Sequence, residues 1–193
     1  ITATITCTNG NIYAIKTVAV ITTNSFLFTK NDNAEVVAKM FAAGKCASSY
    51  GMTKAECEAV TDLGSESDAI FYNDTNLKSF DELQYFIGLT SLGNLCFYGC
   101  TSLTSITLPN SITSLGYSCF AKCSSLTNIT LPNSITSLGS QCFYGCTSLT
   151  SITLSNSITS LGSQCFDSCS SLTSIVLPNT INSLSNNCFA RCS

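Results

Sequence analysis

One 23-residue unit is written again and again through the second half of this chain. Each copy closes on the same pattern: Cys96-Phe97-Tyr98-Gly99-Cys100, Cys119-Phe120-Ala121-Lys122-Cys123, Cys142-Phe143-Tyr144-Gly145-Cys146, Cys165-Phe166-Asp167-Ser168-Cys169 and Cys188-Phe189-Ala190-Arg191-Cys192. A fixed period in the twenties marks a solenoid, whose units bury their apolar side chains against one another because none can bury them alone. Such an array displays a long regular surface and seldom encloses a deep catalytic pocket.

The copy from Leu103 to Cys123 shows how a unit is built. Ile106 and Leu108 alternate with Ser105 and Thr107, the period of a short strand with one buried face. Pro109 cannot donate to a ladder and ends that strand; the chain turns through Asn110 and Ser111 into a second extended piece carrying Ile112 and Leu115. Gly116 allows the tighter bend before Cys119 and Phe120. Stacked at the strand spacing of about 4.8 Å, the copies beginning at Leu103, Leu126, Leu149 and Leu172 make ladders of Leu, Ile and Phe. Two worn copies precede them. Val60-Thr61-Asp62-Leu63-Gly64 matches Ile-Thr-Ser-Leu-Gly, and Ile70-Phe71-Tyr72 followed by Leu77 matches Cys96-Phe97-Tyr98 followed by Leu103. The array is therefore expected over residues 60–193, with irregular opening repeats at 60–99 and regular ones at 100–193.

Residues 1–59 read differently. Ile1, Ala3, Ile5 and Cys7 alternate with threonines, and Asn9-Gly10 suits a tight hairpin turn before Ile12 and Ala14. Val36, Val37, Met40 and Phe41 fall at helical spacing, with Asp32 or Asn33 as cap and Gly44 as stop. Thr53 and Glu56 form a capping box for a second helix running toward Val60. A cap of strands and two helices is expected ahead of the array.

The spacing Leu-x-x-Ile-x-Leu, then Pro and a returning Phe-x-x-Cys, resembles the leucine-rich repeats of the BspA-like, Treponema pallidum type over residues 60–192. Five spaced features recur together in four full copies, and the segment from Leu77 to Phe86 resembles the lead-in common in members from gut Bacteroidetes. The resemblance implies an α+β solenoid, a right-handed leucine-rich repeat coil of 23-residue repeats. It further implies a secreted or surface-anchored protein that adheres to partners. Residues 1–30 lie outside it.

Composition narrows the functions available. Charged residues make up 10% of the chain and its net charge is -3, with eight Lys and Arg in all, so the clustered cations that neutralise nucleic-acid phosphates are missing. Histidine is absent, which removes the commonest general base and zinc ligand. Between residues 100 and 193 the only carboxylate is Asp167 and the only cations are Lys122 and Arg191, so no acid-base pair can be assembled there, and neither an enzyme nor a cofactor is expected. Asp62, Glu66, Asp68, Asp74, Asp81 and Glu82 cluster around the opening repeats; their spacing matches no calcium loop and reads as a solvated acidic edge. No apolar run is long enough to span a membrane, and a secretion signal, if encoded, is expected to have been removed ahead of Ile1.

The thirteen cysteines admit three readings. In an in-register stack equivalent Cβ atoms lie near the ~4.8 Å strand spacing, whereas a disulfide wants about 3.5 to 4.5 Å, which disfavours a ladder of bridges. Structural zinc uses paired knuckle turns rather than columns flanked by Phe and Leu. Plain packing, with cysteine as a small buried apolar group, is the favoured reading. Typical members of the resembled family carry Ala where Cys96, Cys119, Cys142, Cys165 and Cys188 stand. Cys7, Cys46 and Cys57 are separate, and a bridge from Cys46 to Cys57 stays open.

Two functions are carried forward. The outward residues of the first strand, Ser105 and Thr107, Asn128 and Thr130, Ser151 and Thr153, Ser174 and Val176, form two columns on the expected concave face, suited to a protein or glycan on a host or neighbouring cell. Solvated Ser and Thr are also what any exposed strand tolerates. The alternative is a structural spacer or self-associating rod, since Leu172, Ile175, Leu184 and Phe189 are left with an open neighbouring face for end-to-end association.

Overall fold

The computed structural model describes residues 26–29 and 33–192. The strands assigned to residues 1–25 with their Asn9-Gly10 hairpin, Cys7, and Asp32 as a helix cap lie outside the described residues.

Strand β1 (Phe26–Thr29) pairs antiparallel with β2 (Gly51–Thr53). Between them runs α1 (Ala34–Ala42), which starts where the Asn33 side chain accepts the Val36 N–H and stops before Gly44 at φ +66°. Its Val36, Val37 and Met40 are buried. Helix α2 (Lys54–Ala59) opens on the reciprocal box: Thr53 Oγ1 accepts the Glu56 N–H and the Glu56 carboxylate accepts the Thr53 N–H. Burial raises the Glu56 pKa, but the bonds it accepts from the Ala47 and Thr53 N–H groups and the Thr53 hydroxyl hold it below its ordinary value overall.

An aromatic cluster joins this segment to the coils. Phe28 meets Phe86 at 6.4 Å between ring centroids, Phe86 meets Phe80 edge-on at 5.5 Å, and Phe80 meets Phe71 at 5.1 Å. Phe71 then begins a column of rings, Phe97, Phe120, Phe143, Phe166 and Phe189, spaced 5.2–5.5 Å apart. Beyond Phe97 their planes lie within 4° of parallel, so the rings are offset-stacked.

The coils up to Leu161 carry two sets of very short strands. The first set pairs β3 (Ser79–Phe80) with β5 (Ser105–Ile106), and β7 (Asn128–Thr130) with β9 (Ser151–Thr153). The second set forms a four-stranded parallel sheet in the order β10 (Ser160–Leu161), β8 (Ser137–Leu138), β6 (Ser114–Leu115), β4 (Ser91–Leu92). Within the regular coils the partners stand 23 residues apart, as in Leu92, Leu115, Leu138 and Leu161. Ile106, Ile129 and Ile152 are buried, as are Ile112, Ile135 and Ile158.

Backbone bonds run in opposite senses on the two sides of a coil. On the strand side, N–H groups donate to the preceding coil, as Thr136 to Thr113 and Gly139 to Leu115. In the Cys-Phe turns they donate to the following coil, as Phe97 to Cys119, Phe120 to Cys142 and Phe143 to Cys165. Each coil is thereby tied to both neighbours by groups that would otherwise be buried unpaired.

A column of glycines sets how closely the second strands approach. A Cβ added to Gly93, Gly116 or Gly139 would meet the backbone of the preceding coil at 2.5–2.8 Å, so only glycine fits. The next residue in this column after Gly162 is Ser185. There the strand ladder stops: no backbone bond ties residues 173–185 to the coil before, and residues 174–184 form no strand. One hydroxyl substitutes, Ser185 donating to the Leu161 carbonyl at 2.7 Å, while Thr180 donates to that of Ile158 at 2.6 Å as Ser134 does to that of Ile112 in a paired coil. The turn side of the same coil keeps its full ladder, with Gln164, Phe166 and Ser168 donating to Asn186, Cys188 and Ala190.

Candidate binding face

The first-strand side chains divide by parity: Ile106, Ile129 and Ile152 point in, while Thr107, Asn128, Thr130, Ser151 and Thr153 are exposed and Ser105 is half-buried. Parallel pairing aligns Asn128 with Ser151 and Thr130 with Thr153, and a bridge aligns Thr107 with Thr130. The expected pair Ser174 and Val176 departs from this. Both are exposed, Val176 at 84%, but they lie in the unpaired part of the last coil, so the aligned columns end at Ser151 and Thr153. The change from glycine to Ser185 gives the physical reason, because its Cβ forbids the close approach that the other coils make.

At the other end the columns extend by one rung. Register pairs Ser79 with Ser105 and Phe80 with Ile106, which puts Asp81 at the place Thr107 takes in the next coil. The Asp81 carboxylate accepts hydrogen bonds from Ser105 and Thr107, each 3.1 Å. Asp81 had read as part of a solvated acidic edge, yet counting four residues on from Leu77, as Thr107 stands four on from Leu103, finds its place. A groove of about 490 Å³ opens here, lined by Asp81, Gln84, Ser105, Thr107, Asn128 and Thr130 and walled by Pro109 and Pro132.

Hydrogen bonding separates these hydroxyls from others in the array. Thr104, Thr113, Thr136, Thr150 and Thr159 each donate to a backbone carbonyl one coil back, at 3.0–3.4 Å. The hydroxyls of Thr130, Ser151 and Thr153 have no hydrogen-bond partner among the described residues, and the Asn128 side chain reaches only its neighbour Thr127, at 3.3 Å. Their donors and acceptors face outward unclaimed.

The cysteines do something else. All twelve in the described residues are free thiols, and eleven of them are buried. The second cysteine of each turn donates to the carbonyl of the phenylalanine in the preceding coil: Cys100 to Phe71, Cys123 to Phe97, Cys146 to Phe120, Cys169 to Phe143 and Cys192 to Phe166, at 3.0–3.2 Å. Packing thus includes a weak hydrogen bond for half of the column cysteines. No bridge joins Cys46 to Cys57; the Cys46 thiol donates to the Ser48 carbonyl at 3.4 Å. Burial pushes the Cys57 and Cys169 thiols up to about 12 and drives Cys96, Cys142, Cys146 and Cys165 well above the ordinary thiol range, which keeps them protonated and unreactive.

The acidic residues of the opening repeats disperse. Asp74 is buried and paired with Lys39 at 3.4 Å, Asp62 accepts the Gly64 N–H, Glu82 accepts from the Asn33 side chain, and Asp81 joins the groove. Among the described residues no three His, Cys, Asp or Glu side chains gather in a set fit to hold a metal ion, and no helix is long and apolar enough to cross a membrane.

Comparison with known proteins agrees with this architecture. No match is found among curated proteins. Of solved structures, the leucine-rich repeat protein of Treponema pallidum is 30% identical over 62% of this chain and 53% of its own, with a TM-score of 0.54. A leucine-rich repeat protein from Bacteroides ovatus is 28% identical over 69% of this chain and 33% of its own, with a TM-score of 0.63. The chain therefore spans about half of the first and a third of the second. Residues 64–193 match the BspA type leucine-rich repeat region in six copies, and the chain belongs to that family.

Proposed function

We propose that this chain is a secreted or cell-surface module that adheres to a protein or glycan of a host or neighbouring cell. In this reading residues 60–193 form a right-handed coil turning once per 23 residues, residues 1–59 cap it, and the partner lies along the concave face. The contacts come from Ser105, Thr107, Asn128, Thr130, Ser151 and Thr153, with Asp81 as a first rung. The observation that carries the reading is the unclaimed hydrogen bonding of Thr130, Ser151 and Thr153, in register on consecutive coils beside an open groove.

Neither an aromatic residue nor an arginine stands in the two columns, so no single side chain supplies a dominant anchor. Affinity arises from repetition, many modest hydrogen bonds along the coils, and each isolated contact is weak. The test is capture of solubilised surface proteins and glycans by immobilised protein. The double variant Thr130→Lys with Thr153→Lys is expected to lose most of the captured material while melting within a few degrees of the parent; undiminished capture would remove the strand face from consideration.

A second reading has its own observation: Val176, Leu177 and Leu184 of the last coil are exposed. Self-association through these residues predicts dimers in sedimentation at micromolar concentration, dispersed by Val176→Asp with Leu184→Asp. A monomer throughout that range contradicts it.

A further inference from the structure

The Cys-Phe turns carry a second groove, of about 440 Å³, that shares no lining residue with the first. Four of the chain's seven tyrosines line it, Tyr72, Tyr98, Tyr117 and Tyr144, together with Lys122 and Gln141. No carboxylate lines it. The position after the turn phenylalanine reads Tyr98, Ala121, Tyr144 in three successive coils, so the small Ala121 floors a recess with a phenol on either side. The underlying phenyl rings step by 5.2 and 5.5 Å, which sets the tyrosines two steps apart. That span holds the Lys122 ammonium against Tyr98 and leaves the Tyr144 side for a ring at a contact of about 3.5–4.0 Å.

Lys122 gives the recess its sign. Its ammonium is exposed and lies 5.1 Å from the centroid of the Tyr98 ring. Its backbone adopts φ +62°, a conformation that favours glycine, and Gly99 and Gly145 take the same position in the neighbouring coils at +71° and +69°. Asn73, Ser168 and Arg191 take the same position in other coils at +53°, +63° and +57°, so the conformation belongs to the column, and Lys122 is the one cation among the residues that line the recess. A row of tyrosines by itself suits a quaternary ammonium ligand, but a resident ammonium on the Tyr98 face repels a second cation. Phosphate recognition draws on several cations or on free backbone N–H groups. Here the turn N–H groups of Gly99 and Lys122 already donate to Ala121 and Tyr144.

We propose that this recess binds an acidic saccharide, with a ring carboxylate paired to Lys122, which covers the Tyr98 face, and the sugar seated over Ala121 against Tyr144. The phenol hydroxyls and the Gln141 amide serve the sugar hydroxyls. Tyr117 already donates to Gln141 at 2.7 Å, which fixes that amide, and Gln141 in turn donates to Gln164 at 2.9 Å.

Titration calorimetry with a galacturonate oligosaccharide, its neutral methyl ester and choline tests this on the full chain. The acid is expected to bind saturably, the ester at least tenfold more weakly, and choline not at all. Two variants borrow residues from neighbouring coils and so preserve the fold: Lys122→Gly weakens the acid about tenfold, and Ala121→Tyr fills the recess and abolishes binding. Equal affinity for acid and ester, preference for choline, undiminished binding by Ala121→Tyr, or no binding of the acid at all would overturn the proposal.

Discussion

Burial holds Cys96, Cys142, Cys146, Cys165 and Cys169 in their protonated form, and this links stability to alkaline pH. A thiol in the unfolded chain ionises near pH 8.5, whereas burial holds Cys57 and Cys169 up to about 12 and drives Cys96 and Cys146 well above the ordinary thiol range. The folded state therefore keeps protons that the unfolded state has released. The contribution is complete below about pH 8.5 and is lost as pH rises toward the folded values, at up to about 1.4 kcal/mol per pH unit for each thiol. The urea midpoint is expected to be flat from pH 6.5 to 8 and to fall steeply between pH 9 and 10.5. A midpoint unchanged at pH 10.5 contradicts the burial of the columns.

At the scale of the element, the glycine column decides which coils pair. Gly139→Ala places a methyl against the Gly116 backbone and is expected to cost about 1–3 kcal/mol by overpacking, read from the urea midpoint. Ser185→Gly removes the obstruction in the last coil. Hydrogen exchange at Leu184 and Ser185 is then expected to slow toward the rates at Leu161 and Gly162, and unchanged exchange would show that another feature holds the coil apart. The parity of Ile106, Ile129 and Ile152 against their outward neighbours is legible in the sequence, because a period of two leaves no other assignment. The helix caps at Asn33 and Thr53 are legible for the same local reason. Asp81 escapes a count of 23 because the chain lengthens after Phe80, so its pairing with the Thr107 coil shows only when the offset of 26 between Ser79 and Ser105 is used. The break at Ser174 and Val176 escapes because their own residues fit the pattern; the departure from it, serine in place of glycine, stands eleven and nine residues on, at Ser185.

Among the described residues, the repeats form a stack in which each coil answers to its neighbours. The ring column from Phe71 to Phe189 runs along the stack and meets β1 through Phe80, Phe86 and Phe28. The order of the array is kept by thiols and phenyl rings inside, while the Thr130, Ser151 and Thr153 hydroxyls on the strand face have no partner among the described residues. This separation of packing from presentation is the central claim, and one capture experiment with two variants addresses it. Thr130→Lys with Thr153→Lys leaves the core alone and is expected to lose capture of surface material. Cys142→Ala with Cys165→Ala leaves the face alone and is expected to keep capture while losing about 1 kcal/mol of stability per site. Capture lost in the folded cysteine variant and kept in the threonine variant would contradict the account.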